Sequence, residues 1–262
     1  MKDITIIIPI HTIEEENVKK IQRAFDSINT NQIYYTFGLL KTFVIGSKDV
    51  IENISNSKEF NIPQNTVFKV NEGEIDFCSQ INCAVNDVDT DYFSILEFDD
   101  EYKKNWFKMA HDYFYTNESV SVFLPINILT SSEYKDFQYA NEVAWTSTFS
   151  NTLGFLDFDC LQDYSSFNIT GGIFNTKDFK TIGGLKPSIK VAFNYEFLLR
   201  LTKKELKVFV VPKEGYIHTV GRKNSLFDMY NTELSEEQID KWFKLAKDEC
   251  SFTEDRKTTI EE

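Results

Sequence analysis

Four carboxylates crowd the end of one apolar run. In Thr90–Tyr102, TDYFSILEFDDEY, the β-formers Tyr92, Phe93, Ile95, Leu96 and Phe98 lead into Asp99, Asp100 and Glu101, with Glu97 just inside the run. An acid at the end of a buried strand is costly unless something neutralises it. In open α/β sheets ligands bind at the carboxyl ends of strands. Oxygen ligands gathered at such a point suit a hard divalent cation, Mg2+ or Mn2+. A solvated acidic turn is the other reading of the same residues, and on this stretch alone both stand open.

The elements that must position these acids follow from the apolar pattern. Ile4–Ile10 reads as a first, central strand and Glu14–Asn29 as an amphipathic helix carrying Val18, Ile21, Phe25 and Ile28. Leu39–Ile45 is a second buried strand, followed by a short helix at Asp49–Ser57, a strand at Val67–Val70 and a helix at Ile75–Val85. The strand at Tyr92–Phe98 comes next, then a helix at Asn105–Tyr115 and a strand at Ser119–Leu129. Thr130–Asn168 is polar and aromatic without clear period, and loops of that length commonly form lids or binding walls. Gly171 and Gly172 mark a tight backbone or a close approach. A short helix capped by Thr176 ends at Gly183-Gly184; Asn194–Lys204 is helical and Lys207–Val211 a last strand. Ser235–Gln238 is a capping box opening a C-terminal helix, and the charged tail from Ser251 is expected to fray. Strands alternating with helices in this way predict an α/β fold, a three-layer α/β/α sandwich on a mostly parallel sheet.

With 262 residues, 42% of them hydrophobic, the chain can bury a substantial core. No apolar run reaches transmembrane length, and the N-terminus does not have the pattern of a signal peptide. Cys78, Cys83, Cys160 and Cys250 lack zinc or CxxC spacing, which fits reduced thiols and a cytoplasmic setting. A net charge of −13 argues against nucleic acid or an anionic membrane as the main partner. The turn after the first strand, PIHTIEEEN, has no glycine, which argues against P-loop, dinucleotide and sugar-nucleotidyltransferase phosphate loops.

Taken in order, several loose motifs resemble family 2 glycosyltransferases of the GT-A fold. IIIPIHT resembles the family's first strand and base-binding turn, and DFCSQINCAV its helix before the central strand, with Asn82 at the usual asparagine. YFSILEFDDEY lies where the family has its DxD motif; GGIFNTKDFKTIGGL and FNYEFLLRL are similar to its acceptor-side segment and helix. YIHTVGRKNS resembles the late loop over the diphosphate. The resemblance covers most of residues 4–225 and implies a Rossmann-like GT-A domain over 1–225, leaving 226–262 as a C-terminal helix and charged tail.

It implies, too, a metal-dependent transferase using a nucleotide-diphosphate sugar, UDP-linked, with inversion as the family's habit. A divalent cation, Mn2+ or Mg2+, would stabilise the leaving diphosphate. Asp99 would be the direct metal contact, with Asp100 beside it and His218 as a third ligand; Glu97, at the first DxD position, would act at ribose or metal. Pro9 and His11 would lie under the base, and Asp49 would accept from the base or cap a helix. Arg222 and Lys223 would clamp the diphosphate, or form an ordinary surface turn. Gly171 and Gly172 would lie on the side of the acceptor, an unidentified glycan, lipid or protein hydroxyl.

One departure concerns catalysis. The family's Glu-Asp pair, whose Asp is the general base, is replaced here by Phe193-Asn194, and an amide cannot take a proton. Glu196 is the nearest carboxylate, with Asp157, Asp159 and Asp163 as other candidates. A catalytically inactive GT-A-like binding or structural module is therefore the second reading.

Overall fold

Ile4, Ile6, Ile8 and Ile10 face one apolar cluster and Ile7 the other, all with no exposed surface, so the first strand is covered on both sides. That is why it reads as a continuous hydrophobic run. In a computed structural model, residues 2–131, 137–150, 152–221 and 233–257 are described. In chain order they form β1 (Ile4–Ile10), α1 (Glu15–Tyr34), β2 (Leu40–Gly46), α2 (Lys48–Asn56), β3 (Thr66–Val70) and α3 (Phe77–Asn86). Then come β4 (Tyr92–Ile95), β5 (Glu101–Tyr102), α4 (Trp106–Thr116), β6 (Val120–Thr130), β7 (Phe137–Ala140) and β8 (Phe155–Leu156). The chain continues with α5 (Phe158–Asp163), β9 (Ile173–Asn175), α6 (Thr176–Thr181), α7 (Phe193–Lys203), β10 (Lys207–Thr219) and α8 (Glu236–Glu249).

The strands make one sheet in the order β3-β2-β1-β4-β9-β6-β10-β5, with β7 on β6 and β8 on β10. β1 pairs in parallel with β2 and β4, and β2 with β3, so the carboxyl ends of these four strands share one edge. β9 is antiparallel to both β4 and β6, and β6 runs parallel to β10. The expected α/β sandwich is the observed architecture. Two strand boundaries differ from expectation by more than one residue. β4 ends at Ile95, because the chain then turns to form β5 against β10. β10 runs on past Pro212 to Thr219, with register shifts flanking Glu214 that absorb a residue unable to donate to the ladder.

The tail, expected to fray, is tied down through Asp255 and Arg256, though most of it stays exposed. Ala246 and Cys250 lie in the same apolar cluster as Leu198 and Leu201 of α7, and Asp255 bonds Ser188. At the opposite end of the sheet from the acids, His111 of α4 lies flat on Phe37, with ring centroids 3.6 Å apart and planes 8° apart. Burial pulls its pKa below the ordinary value, more strongly than neighbouring Asp112 raises it. Its neutral form therefore contributes stability that is complete above about pH 6.5 and is lost as pH falls through the lower folded pKa. His111→Phe is expected to flatten the decline in melting temperature below about pH 6.5; an unchanged acid-side slope eliminates His111 as its source.

Candidate functional site

Leaving β4, the chain makes a turn closed by the Asp100 amide donating to the Glu97 carbonyl at 3.1 Å. β5 then pairs antiparallel with β10, Tyr102 opposite Tyr216 and Glu101 opposite Ile217. One further step along this ladder brings Asp100 to His218. Asp100 Oδ2 is 2.7 Å from His218 Nδ1, and Asp100 Oδ1 accepts from the Thr219 amide at 2.8 Å. Glu97 Oε1 lies 4.0 Å from the same imidazole nitrogen. Glu97, Asp100 and His218 thus present ligand atoms all within 4.8 Å of one another. Asp100 is buried, while Glu97 and His218 keep part of their side chains in solvent, so the group opens outward from a fixed base.

The electrostatics follow from this crowding. Burial disfavours the His218 imidazolium, but Asp100, aided by Glu97 and Asp99, outweighs it and the pKa is pushed up to about 10. The ring is accordingly protonated at neutral pH when no cation competes with the proton. Asp99, the sequence's first choice as metal contact, lies outside the three-residue group; it is buried, its carbonyl accepts from Thr219 Oγ1 at 3.2 Å, and its charge acts on His218. The geometry puts Glu97 in the place assigned to Asp99, because the turn and the β5 register carry residues 97 and 100 toward β10.

Tyr216 supports the arrangement. The Glu97 amide donates to its phenol oxygen at 3.0 Å, and burial, reinforced by Asp100 and Glu97, raises that phenol's pKa well above the ordinary value. Gly171 makes room for the ring: its φ is +75°, and a Cβ there would sit 2.5 Å from Tyr216. The Gly171 amide donates to Ile95 and its carbonyl accepts from Trp106 Nε1. Gly172 is equally closed in, with a Cβ position 2.9 Å from the Ile169 carbonyl. Gly171 thus seats Tyr216 beneath the acids, while Gly172 packs against Ile169 and Leu124.

No protein-family model matches the sequence, and no curated protein matches it. Solved structures do. Among them, S. aureus TarS 1-349 in complex with UDP-GlcNAc is similar with a TM-score of 0.59 at 15% identity, over 93% of this chain and 70% of that one. TarS 1-349 alone gives 0.55 at 15% identity over 97% and 72%, and its complex with UDP gives 0.54 at 16% identity over 93% and 70%. The fold is that of the GT-A glycosyltransferases. At this identity the likeness concerns the fold alone.

Within the GT-A fold the other candidate residues separate into two groups. At the carboxyl edge, His11 is exposed just past β1 and meets Phe98 edge-on at 5.0 Å. Asp49 is exposed in the first turn of α2, whose N-cap is Ser47, so Asp49 is not the cap. Asn194 stands in the first turn of α7, where its Oδ1 is buried and has no hydrogen-bond partner among the described residues. Arg222 and Lys223 lie outside the described residues.

The remainder are structural. Pro9 is buried inside β1 opposite Ile45. Asn82 uses both ends of its amide on the Leu185 backbone, at 2.7 and 2.9 Å, and so fastens the Gly183-Gly184 turn; that corrects its expected place at the nucleotide. Glu196 is fully buried between Arg200, held through both carboxylate oxygens at 2.9 Å, and Lys186 at 3.0 Å. A carboxylate so engaged cannot accept a proton from an incoming hydroxyl, and Glu196 is corrected from candidate base to ion-pair anchor. Asp157 caps α5 through the Cys160 amide, while Asp159 and Asp163 are exposed on that helix. No sequence motif marks Thr219 or Lys186, and the one signal for Tyr216 is the alternation that places it on the same face of β10 as His218.

Proposed function

We propose that the protein is a metal-dependent glycosyltransferase that moves a sugar from a UDP-sugar to a hydroxyl of a glycan, lipid or protein. The observation that carries the reading is the convergence of Glu97, Asp100 and His218 at the carboxyl edge of a GT-A sheet. TarS, similar in fold, has been solved with UDP and with UDP-GlcNAc bound, and supports a nucleotide donor.

Two carboxylates and an imidazole fit a divalent cation, and the imidazole favours Mn2+ over Mg2+. When bound, such an ion neutralises charge on the departing diphosphate. The chain's own residues do the rest. Asp100, pinned by the Thr219 amide, orients the His218 ring; Glu97 is aimed by the bond from its amide to Tyr216. His11 lies against the nucleotide base. Arg222 and Lys223, from the segment after β10, meet the diphosphate. The unpartnered Asn194 Oδ1 accepts a hydrogen bond from the acceptor hydroxyl and orients it; as the new bond to the sugar forms and the bond to the diphosphate breaks, the hydroxyl proton passes to solvent water, since the amide cannot take it. Reaction on the opposite face of the sugar gives inversion.

Asn194 also favours the second reading, a GT-A-like module that binds donor and transfers nothing. A donor screen with and without Mn2+ separates the two, scoring nucleotide release and thermal shift together. The transferase reading expects a Mn2+-dependent shift with a UDP-sugar and release of UDP. A shift without release supports the module, and no shift with any nucleotide overturns both. Saturation at about 100 times Kd contributes about 2.7 kcal/mol, ample for a measurable shift.

A further inference from the structure

Five charged side chains meet where α7, α8 and the segment between α6 and α7 come together. Lys186, Glu196, Arg200 and Glu249 are almost entirely buried; Arg256 is about half exposed. Lys186 Nζ reaches Glu196 Oε1 at 3.0 Å and donates to the Glu249 carbonyl at 2.8 Å. Arg200 grips Glu196 and also donates to the carbonyls of Ile182 and Gly184. Arg256, from the tail, pairs with the Glu249 carboxylate and stacks on Phe252 at 3.6 Å. Buried ion pairs seldom stabilise more than apolar packing of the same volume, while their strict geometry can favour one arrangement.

The arrangement favoured here is that of residues 182–196. Gly183, at φ +93°, is pressed so closely on the tail that a Cβ would lie 2.2 Å from the Thr253 carbonyl. Asp255 accepts from the Ser188 amide at 3.2 Å and from its hydroxyl. On its other side the same segment is held by Asn82. It runs directly into the first turn of α7, where Asn194 stands two residues before Glu196.

We propose that residues 249–256 form a strap that positions the acceptor side of the site, with Asp255 and Arg256 as positioning residues acting through Ser188, Glu249 and Lys186 on Asn194. The proposal rests on the transferase reading for its consequence, though not for its geometry. None of the strap contacts described above involves Glu97, Asp100 or His218, so the acceptor side can be loosened while the donor side is kept.

Arg256→Gln and Asp255→Asn in the full chain test it, since both side chains are at least partly exposed and neither leaves a cavity. Hydrogen exchange should quicken at least tenfold over 182–194 in each variant and stay unchanged over 92–102. UDP affinity with Mn2+ should hold within twofold, while kcat falls and the donor KM does not. Unchanged exchange over 182–194 in both variants overturns the strap. So does equal acceleration over 92–102, which marks a general loss of stability. If wild type neither binds nor consumes donor, the transferase reading fails on its own, and the exchange pattern still decides whether the strap holds the segment.

Discussion

Asp100→Asn is expected to lower UDP affinity in the presence of Mn2+ by roughly 10–100-fold or more, with little effect on whatever binding persists without metal. The carboxylate is the pivot of the group: one oxygen meets His218 at 2.7 Å and the other the Thr219 amide at 2.8 Å. Asparagine can keep the Thr219 bond but removes the charge a cation needs, and its amide cannot serve as an anionic ligand. Because Asp100 is buried, the substitution also disturbs the fold, so Glu97→Gln is the companion. Glu97 is part-exposed and its tie to Tyr216 is made by its backbone, which the substitution leaves intact. It should reproduce the affinity loss with a ligand-free melting temperature near that of wild type. Asp99→Asn should cost less than either, because Asp99 lies outside the group. Calorimetry with UDP, with and without Mn2+, gives the order. If Asp99→Asn is the most damaging of the three, the sequence-level assignment to Asp99 was right. If all three bind as wild type does, no metal acts here.

Much of the fold was readable because its central strands are buried on both faces. Ile4–Ile10 and Tyr92–Ile95 are apolar but for Thr5 and Ser94 for that reason, and the crossover helices between them keep a clear period. The site was only half readable. Its acids lie together in sequence, whereas His218 follows Asp100 by more than a hundred residues and reaches it through a β5 of only two residues. No periodicity reveals so short a strand, and it decides whether residue 99 or residue 97 joins the group. Glu196 shows the opposite failure. Its spacing to Arg200, i to i+4 on a helix, describes an ion pair, and that spacing outweighs its nearness in sequence to the place of the missing base. The tail reads as frayed because it is charged; the residues that tie it down, Ser188 for Asp255 and Glu249 for Arg256, are set by the fold and not by any local pattern.

Asn194→Asp should raise transfer by about 10²–10⁴-fold, the usual worth of general-base assistance, provided the protein is a transferase whose base has been lost. The site is ready for it. Asn194 Oδ1 is buried without a hydrogen-bond partner among the described residues, so an oxygen at this place already awaits a donor. The amide can hold a hydroxyl there but cannot take its proton, and aspartate in the same volume can. Two opposing effects bear on the new carboxylate. Partial burial raises its pKa, which strengthens it as a base, and the N-terminal turn of α7 favours its charged form. Neither prevents ionisation at neutral pH for a side chain that is not fully enclosed. Glu196→Gln is the control. It breaks a buried pair and leaves Arg200 and Lys186 short of a counter-charge, a loss typically of about 3–5 kcal/mol, so its effect should be on stability. A Glu196→Gln protein that melts like wild type but loses turnover would return the catalytic role to Glu196. Turnover in wild type with no gain in Asn194→Asp would place the base on another side chain. If Asn194→Asp binds UDP with Mn2+ and neither it nor wild type consumes a UDP-sugar, the chain is a nucleotide-binding module on a glycosyltransferase fold.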